Sequence, residues 1–207
     1  MIYMTEKNII KSETTVKAFP MFTAEPAALG LIGLAVAALV LASTDLGLAS
    51  SSSKSLMIPW VLFFGATAQL IAGAMEFKRK NIFGATVFTT YSMTMYSISL
   101  TLFITIFTDV EFDITHYAYG LIAILVFSTI ATAASLMTNK ILFAILIFVD
   151  LAVVALIAHY LYSASAVPAG IFLLLTSVFS FYAAAAILLN TMAGKTILPM
   201  GSAIWKP

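Results

Sequence analysis

Apolar residues run through this chain in six long stretches, approximately 26–43, 57–75, 83–107, 118–137, 141–161 and 169–190, parted by short polar connections. Each approaches the ~20 residues needed to cross a hydrocarbon core. No backbone donor or acceptor can stay open in lipid, so every stretch is predicted to be a helix. A barrel would show short alternating segments, and none occurs. The expected architecture is an all-α membrane protein with six transmembrane helices per protomer. It divides into a tail over 1–24, a six-helix transmembrane domain over 25–192 and a second tail over 193–207.

Composition changes little in that picture but closes several alternatives. The chain is 62% hydrophobic and only 9% charged, against roughly 25% charged in a soluble domain. A net charge of +1 with no basic patch outside the loops argues against a nucleic-acid partner. Without cysteine there is no disulfide framework and no thiolate metal site. Two isolated histidines and no HExxH pattern leave no metal, no cofactor and no nucleophile–base pair to expect, so the chain does not read as an enzyme. The first 23 residues carry Lys7, Lys11 and Lys17 but no apolar core of a signal peptide.

Basic residues set the orientation. With six spans, Lys7, Lys11, Lys17, Lys78, Arg79, Lys80, Lys140, Lys195 and Lys206 fall on one side, and only Lys54 on the other. Both termini are therefore expected in the cytoplasm. Trp60, Tyr117, Tyr119, Tyr160 and Tyr162 gather at the outer ends of spans two, four and five, as an interfacial belt would.

The polar residues inside the spans are the candidate chemistry. In span three, Thr86, Thr90, Thr94, Ser97, Thr101, Thr105 and Thr108 recur at steps of three and four. At about 100° per residue they share an arc of roughly 100°. Such hydroxyls either bond their own helix carbonyls and glue neighbours together, or form a polar wall for a solute; the length of the stripe favours the wall. Ser128, Thr132 and Ser135 echo it in span four. Asp150 stands ten residues after Lys140, about 15 Å into the membrane. A carboxyl there must face a cavity, pair or carry a proton. Glu25 before Pro26 suits a helix start. Gln69, Glu76 and Asn190 are polar groups near or within spans, open to interhelical bonding or to a solute.

These residues also form a recognisable series. Ala68-Gln69, Ala72-Gly73, Glu76-Phe77, Asn81, Phe83-Gly84, Thr86 and Phe88-Thr89-Thr90-Tyr91 resemble the signature of the acetate uptake transporter family, the succinate–acetate permeases. The stretch from Glu25 and Pro26 to Leu29, Gly30 and Leu31 is similar to its mouth motif, and Leu198-Pro199-Met200-Gly201 to its C-terminal LPxG. The resemblance covers about 25–201, in order and at the family's spacings. It implies a six-helix transport domain over 25–192, a homo-hexamer with its own pore in each protomer, and movement of acetate and similar short carboxylates across the plasma membrane. It places the pore constriction at Leu34, Tyr91 and Val149. The chain departs from the family in having Glu25 for Asn, Ala28 for Pro and Ser92 for Gly.

The physical reading and the resemblance converge. No lysine or arginine lies inside a span, so a carboxylate meets no strong cationic trap, and conduction needs binding weak enough to release. The expected partners are a small carboxylate and the lipid bilayer. The substrate path is expected along Gln69, Thr86, Thr90, Thr94, Ser97 and Thr101, behind a mouth of Glu25, Pro26, Leu29 and Gly30. Asp150 is the candidate for proton coupling in a proton-linked or channel-like mechanism. A channel or transporter for another small solute, such as ammonium or an inorganic anion, would use the same hydroxyls. A non-transporting membrane scaffold would leave them idle.

Overall fold

The computed structural model describes residues 24–206, and among them every regular element is helical. Six helices are long and apolar enough to cross a membrane. They are α1 (Ala27–Asp45), α2 (Lys54–Lys78), α3 (Ile82–Phe107), α4 (Thr115–Ser135), α5 (Lys140–Tyr162) and α6 (Val167–Ala193). They follow the order the apolar stretches predict, and the chain is a multi-pass membrane protein. The expected tail over 1–24 lies outside the described residues, apart from Ala24.

Local chemistry explains the helix ends. Asn81 opens α3 by accepting a hydrogen bond from Gly84 N at 3.2 Å, and Asn139 opens α5 by accepting one from Leu142 N at 3.0 Å. Pro168 stands in the first turn of α6, where its missing N–H costs nothing. Gly194 ends that helix at φ 62°, a left-handed position that glycine reaches without strain. Helix α2 departs from the pattern. It is entered through a 3-10 turn, Ser51–Leu56, and is π-wound over Val61–Ala68. Within that wide turn Thr67 Oγ1 donates five residues back, to Leu62 O at 3.0 Å.

Packing depends on small residues, as it must where lipid tails compete equally for apolar side chains. α1 lies between α2 and α6, α3 covers α2, and α5 joins α4 to α6. A Cβ at Gly30 would enter the Phe88 ring at 2.5 Å, and one at Gly73 would land on Thr89 Oγ1. Where backbones come this close, buried hydroxyls bridge helices. Ser177 Oγ donates to Ala35 O at 2.7 Å, and Ser92 Oγ to Ala66 O at 2.8 Å.

The segment after α6 is tied across the inner face. Asn190 Oδ1 accepts from Ile197 N and Leu198 N, and Tyr182 OH donates to Pro199 O at 2.7 Å. Ile204 N and Trp205 N both donate to Leu136 O, at 2.9 and 3.0 Å, in the turn between α4 and α5. Asn190 is thus an anchor for the LPMG segment. At the outer end the aromatic belt divides. Trp60, Tyr119 and Tyr162 are exposed as expected, but Tyr117 and Tyr160 turn inward and meet edge to face at 5.0 Å.

Candidate functional site

A cavity of about 70 Å3 lies at the inner end of the bundle, between α1, α2, α3 and α5. Since ~10–15 Å3 admits one water, it holds a few waters or one small organic acid. Leu31 and Leu34, Val87 and Phe88, and Ile145 and Leu146 give it apolar walls. Its polar atoms come from α2 and the turn after it. Gln69 Nε2 donates to Gly65 O at 2.7 Å, and Asn81 Nδ2 donates to Glu76 Oε2 at 2.9 Å. Gln69 Oε1 and Glu76 Oε1 are left buried without a partner. Turning the Gln69 amide over would set its oxygen against Gly65 O, so Oε1 stays the unpartnered atom.

The cavity ends at Leu34 and Tyr91, which are 6% and 3% exposed. Val149 lies one turn outward of Ile145 on α5 and is buried in the same apolar cluster. Of the three expected constriction residues, Leu34 and Tyr91 line this cavity, and Val149 shares their apolar cluster without lining it. Sequence reasoning did not single out Met95, which follows Tyr91 by one turn and is buried in that cluster. An i, i+4 step along α3 from Tyr91 is the signal that would have found it.

Beyond this neck a second cavity, about 210 Å3, opens toward the outer side. Leu41 and Asp45 of α1, Ile98, Thr101 and Thr105 of α3, and Leu156 and Tyr160 of α5 line it, with Lys54 beside Asp45. Leu34 to Leu41, Tyr91 to Ile98 and Val149 to Leu156 are each seven residues apart, about 10 Å along a helix. The two cavities are thus strung on the same faces of α1, α3 and α5, with an apolar plug two turns long between them.

The hydroxyl stripe does not line this route continuously. Thr86 is exposed, and Thr90, Thr94 and Ser97 border a separate groove between α3 and α4. Thr101 and Thr105 alone reach the outer cavity, and Thr108 lies past the end of α3. The inward face of α3 is instead the row Val87, Phe88, Tyr91 and Met95, and the stripe sits up to about 100° around from it. Its hydroxyls bond their own helix, Thr94 to Thr90 O and Ser97 to Met93 O, both at 3.0 Å. At the mouth, Glu25 pairs with Arg79 at 2.6 Å and accepts from Ala27 N at 3.4 Å. Pro26 is buried and Gly30 packs on Phe88, but Leu29 faces outward.

Asp150 lines neither cavity. Its carboxylate accepts from Ser128 Oγ, and from Thr132 Oγ1 at 2.7 Å. Ser128 Oγ in turn lies 2.6 Å from the Tyr91 hydroxyl. A hydrogen-bonded chain thus runs from Tyr91 through Ser128 of α4 to Asp150 on α5. Ser128 and Thr132 appeared in the sequence only as an echo of the stripe. No group of three His, Cys, Asp or Glu is placed to hold a metal among the described residues.

Comparison with known proteins gives consistent neighbours. The model of the GPR1/FUN34/yaaH family matches residues 11–201. The succinate-acetate/proton symporter SatP of Escherichia coli K12 is 28% identical over 189 residues, covering 86% of this chain and 95% of that protein. An uncharacterized protein of Methanothermobacter thermautotrophicus is 34% identical over 82 residues, covering 40% of this chain and 39% of its own. Among solved structures, that of the bacterial acetate channel SatP superposes with a TM-score of 0.80 at 25% identity. It covers 87% of this chain and 100% of that one.

Proposed function

Because the chain belongs to the GPR1/FUN34/yaaH family, we infer that it moves acetate and related short-chain carboxylates across the plasma membrane, in a proton-linked or channel-like manner. The family membership bears out the resemblance carried by the motifs. The observation that carries the reading is the alignment of an inner and an outer cavity on α1, α3 and α5 across one apolar neck. A neck of Leu34, Tyr91, Met95 and Val149 accepts a methyl or short alkyl group and rejects a hydrated inorganic ion. The unpaired oxygens of Gln69 and Glu76 give the inner cavity two polar points among apolar walls, where a small acid can be held weakly enough to release. A bare Glu25 carboxylate at the mouth would repel an anion, and its pairing with Arg79 offsets that charge.

Each protomer holds its own path, and the proposal includes the homo-hexamer. Phe103, Ile104 and Phe107 leave an apolar outward face on α3 for lipid or a sister protomer to cover. Light scattering on the detergent-solubilised protein checks the assembly. Purified protein in liposomes is expected to take up labelled acetate faster under an inward proton gradient, with propionate, lactate and succinate compared at two external pH values. Uptake no greater than in empty vesicles would end the reading.

A further inference from the structure

The chain from Tyr91 to Asp150 has a direction that proton counting fixes. A hydroxyl carries one proton, and an ionised carboxylate only accepts. With Asp150 ionised, Ser128 and Thr132 both turn their protons to it. The contact between Tyr91 and Ser128 then leaves one arrangement, with Tyr91 donating. In that state Tyr91, which lines the outer end of the inner cavity, has its proton committed to Ser128 and none to offer a bound group. A carboxylate at that point meets an acceptor.

A proton on Asp150 reverses every step. The carboxylic acid can donate to Ser128 Oγ, Ser128 can turn its own proton to the Tyr91 oxygen, and the Tyr91 proton is released toward the cavity. We propose that protonation of Asp150 reverses this hydrogen-bond chain and converts Tyr91 from an acceptor into a donor for the substrate carboxylate at the neck. Asp150 touches no substrate; it is a positioning residue acting through Ser128. By linkage, a proton at Asp150 and a carboxylate at Tyr91 favour one another reciprocally. No bond beyond these hydrogen bonds forms or breaks, and the proton comes from and returns to solvent.

The surroundings leave Asp150 as the charged group of this region. On α3 the other titratable side chain is Tyr96, which bonds Thr67 at 3.0 Å. His116, Tyr117 and Tyr119 stand at the start of α4, at least nine residues from Ser128. α6 carries no Asp, Glu, Lys, Arg or His, and its Tyr182 is bonded to Pro199 O. On α5, Lys140 and His159 lie ten and nine residues away, roughly 15 and 13 Å along the helix. α1 adds Asp45 at its outer end, beside Lys54. No cation among the described residues of α3, α4 or α6 neutralises the carboxylate in its place.

The inference rests on the transport reading, and the experiment separates the two. Acetate uptake into liposomes is measured from pH 5 to 8 for wild type, Ser128→Ala, Ser128→Thr, Asp150→Asn and Tyr91→Phe, with size-exclusion profiles confirming folded protein. Wild-type rate constants are expected to fall about tenfold once Asp150 gives up its proton, the scale of one hydrogen bond to a charged group. Ser128→Ala cuts the chain and frees the tyrosine proton at every pH, so its profile is expected to flatten; Ser128→Thr keeps the hydroxyl and the slope. Asp150→Asn should flatten likewise, and Tyr91→Phe should hold the slow rate throughout. Should Asp150→Asn fail to fold, the Ser128 pair alone decides the matter. Wild-type uptake whose pH slope survives intact in Ser128→Ala overturns the chain while leaving transport standing. Absence of wild-type uptake overturns both.

Discussion

Arg79 pairs with Glu25 at the inner mouth, and both side chains are about one-third exposed. Water screens such a pair, so its contribution to stability stays below about 1 kcal/mol. Its electrostatic effect on an arriving anion is a separate matter. Arg79→Gln leaves Glu25 unpaired and is expected to slow acetate uptake about two- to fivefold, the scale of ~1 kcal/mol between charges near water. The deficit should shrink at 0.5 M salt, where screening is short-ranged, and Glu25→Gln should restore the rate. A loss unaffected by salt would point to distortion of the mouth instead. In the neck, Met95→Ala opens space beside Tyr91 and is expected to raise propionate uptake relative to acetate, at a cost in stability of about 2–5 kcal/mol. Parallel uptake of the two acids from one preparation measures the ratio.

Among elements, close approach decides how each helix is turned. Gly73 meets Thr89 without room for a side chain, so Gly73→Leu is expected to cost about 1–3 kcal/mol through forced separation of α2 and α3. Ser177→Ala removes one bond between α6 and α1 and should cost only about 0.6 kcal/mol. Thermal unfolding in detergent would rank them, and a larger loss from Ser177→Ala would show that hydroxyl bridges outweigh backbone proximity. The same physics explains what could and could not be read in advance. Periodicity grouped Thr86, Thr90, Thr94, Ser97, Thr101 and Thr105 on one face of span three. It could not say which way that face turned, because lipid rewards apolar faces as readily as a protein interior does. In water the stripe would have pointed outward by solvation alone; here the contacts at Gly73 and Phe88 set the rotation.

At the scale of the molecule, six spans and their order were legible, since length and hydropathy carry them. The link from Tyr91 through Ser128 to Asp150 was not, because it depends on the relative rotation of three helices distant in sequence. Nor did the sequence distinguish a loose end from the strap that Asn190, Tyr182 and Leu136 tie down. Removing residues 196–206 is expected to lower the unfolding temperature by a few degrees through the α4–α5 turn, and an unchanged transition would show the strap to be dispensable. The dry plug has an electrical consequence. With aqueous chambers on either side, nearly all of an applied voltage drops across those two turns of greasy side chains. An acetate ion crossing them exchanges about 2.3 kcal/mol with the field for every 100 mV, whereas acetic acid exchanges none. Current recorded across a planar bilayer therefore tells which species makes the passage.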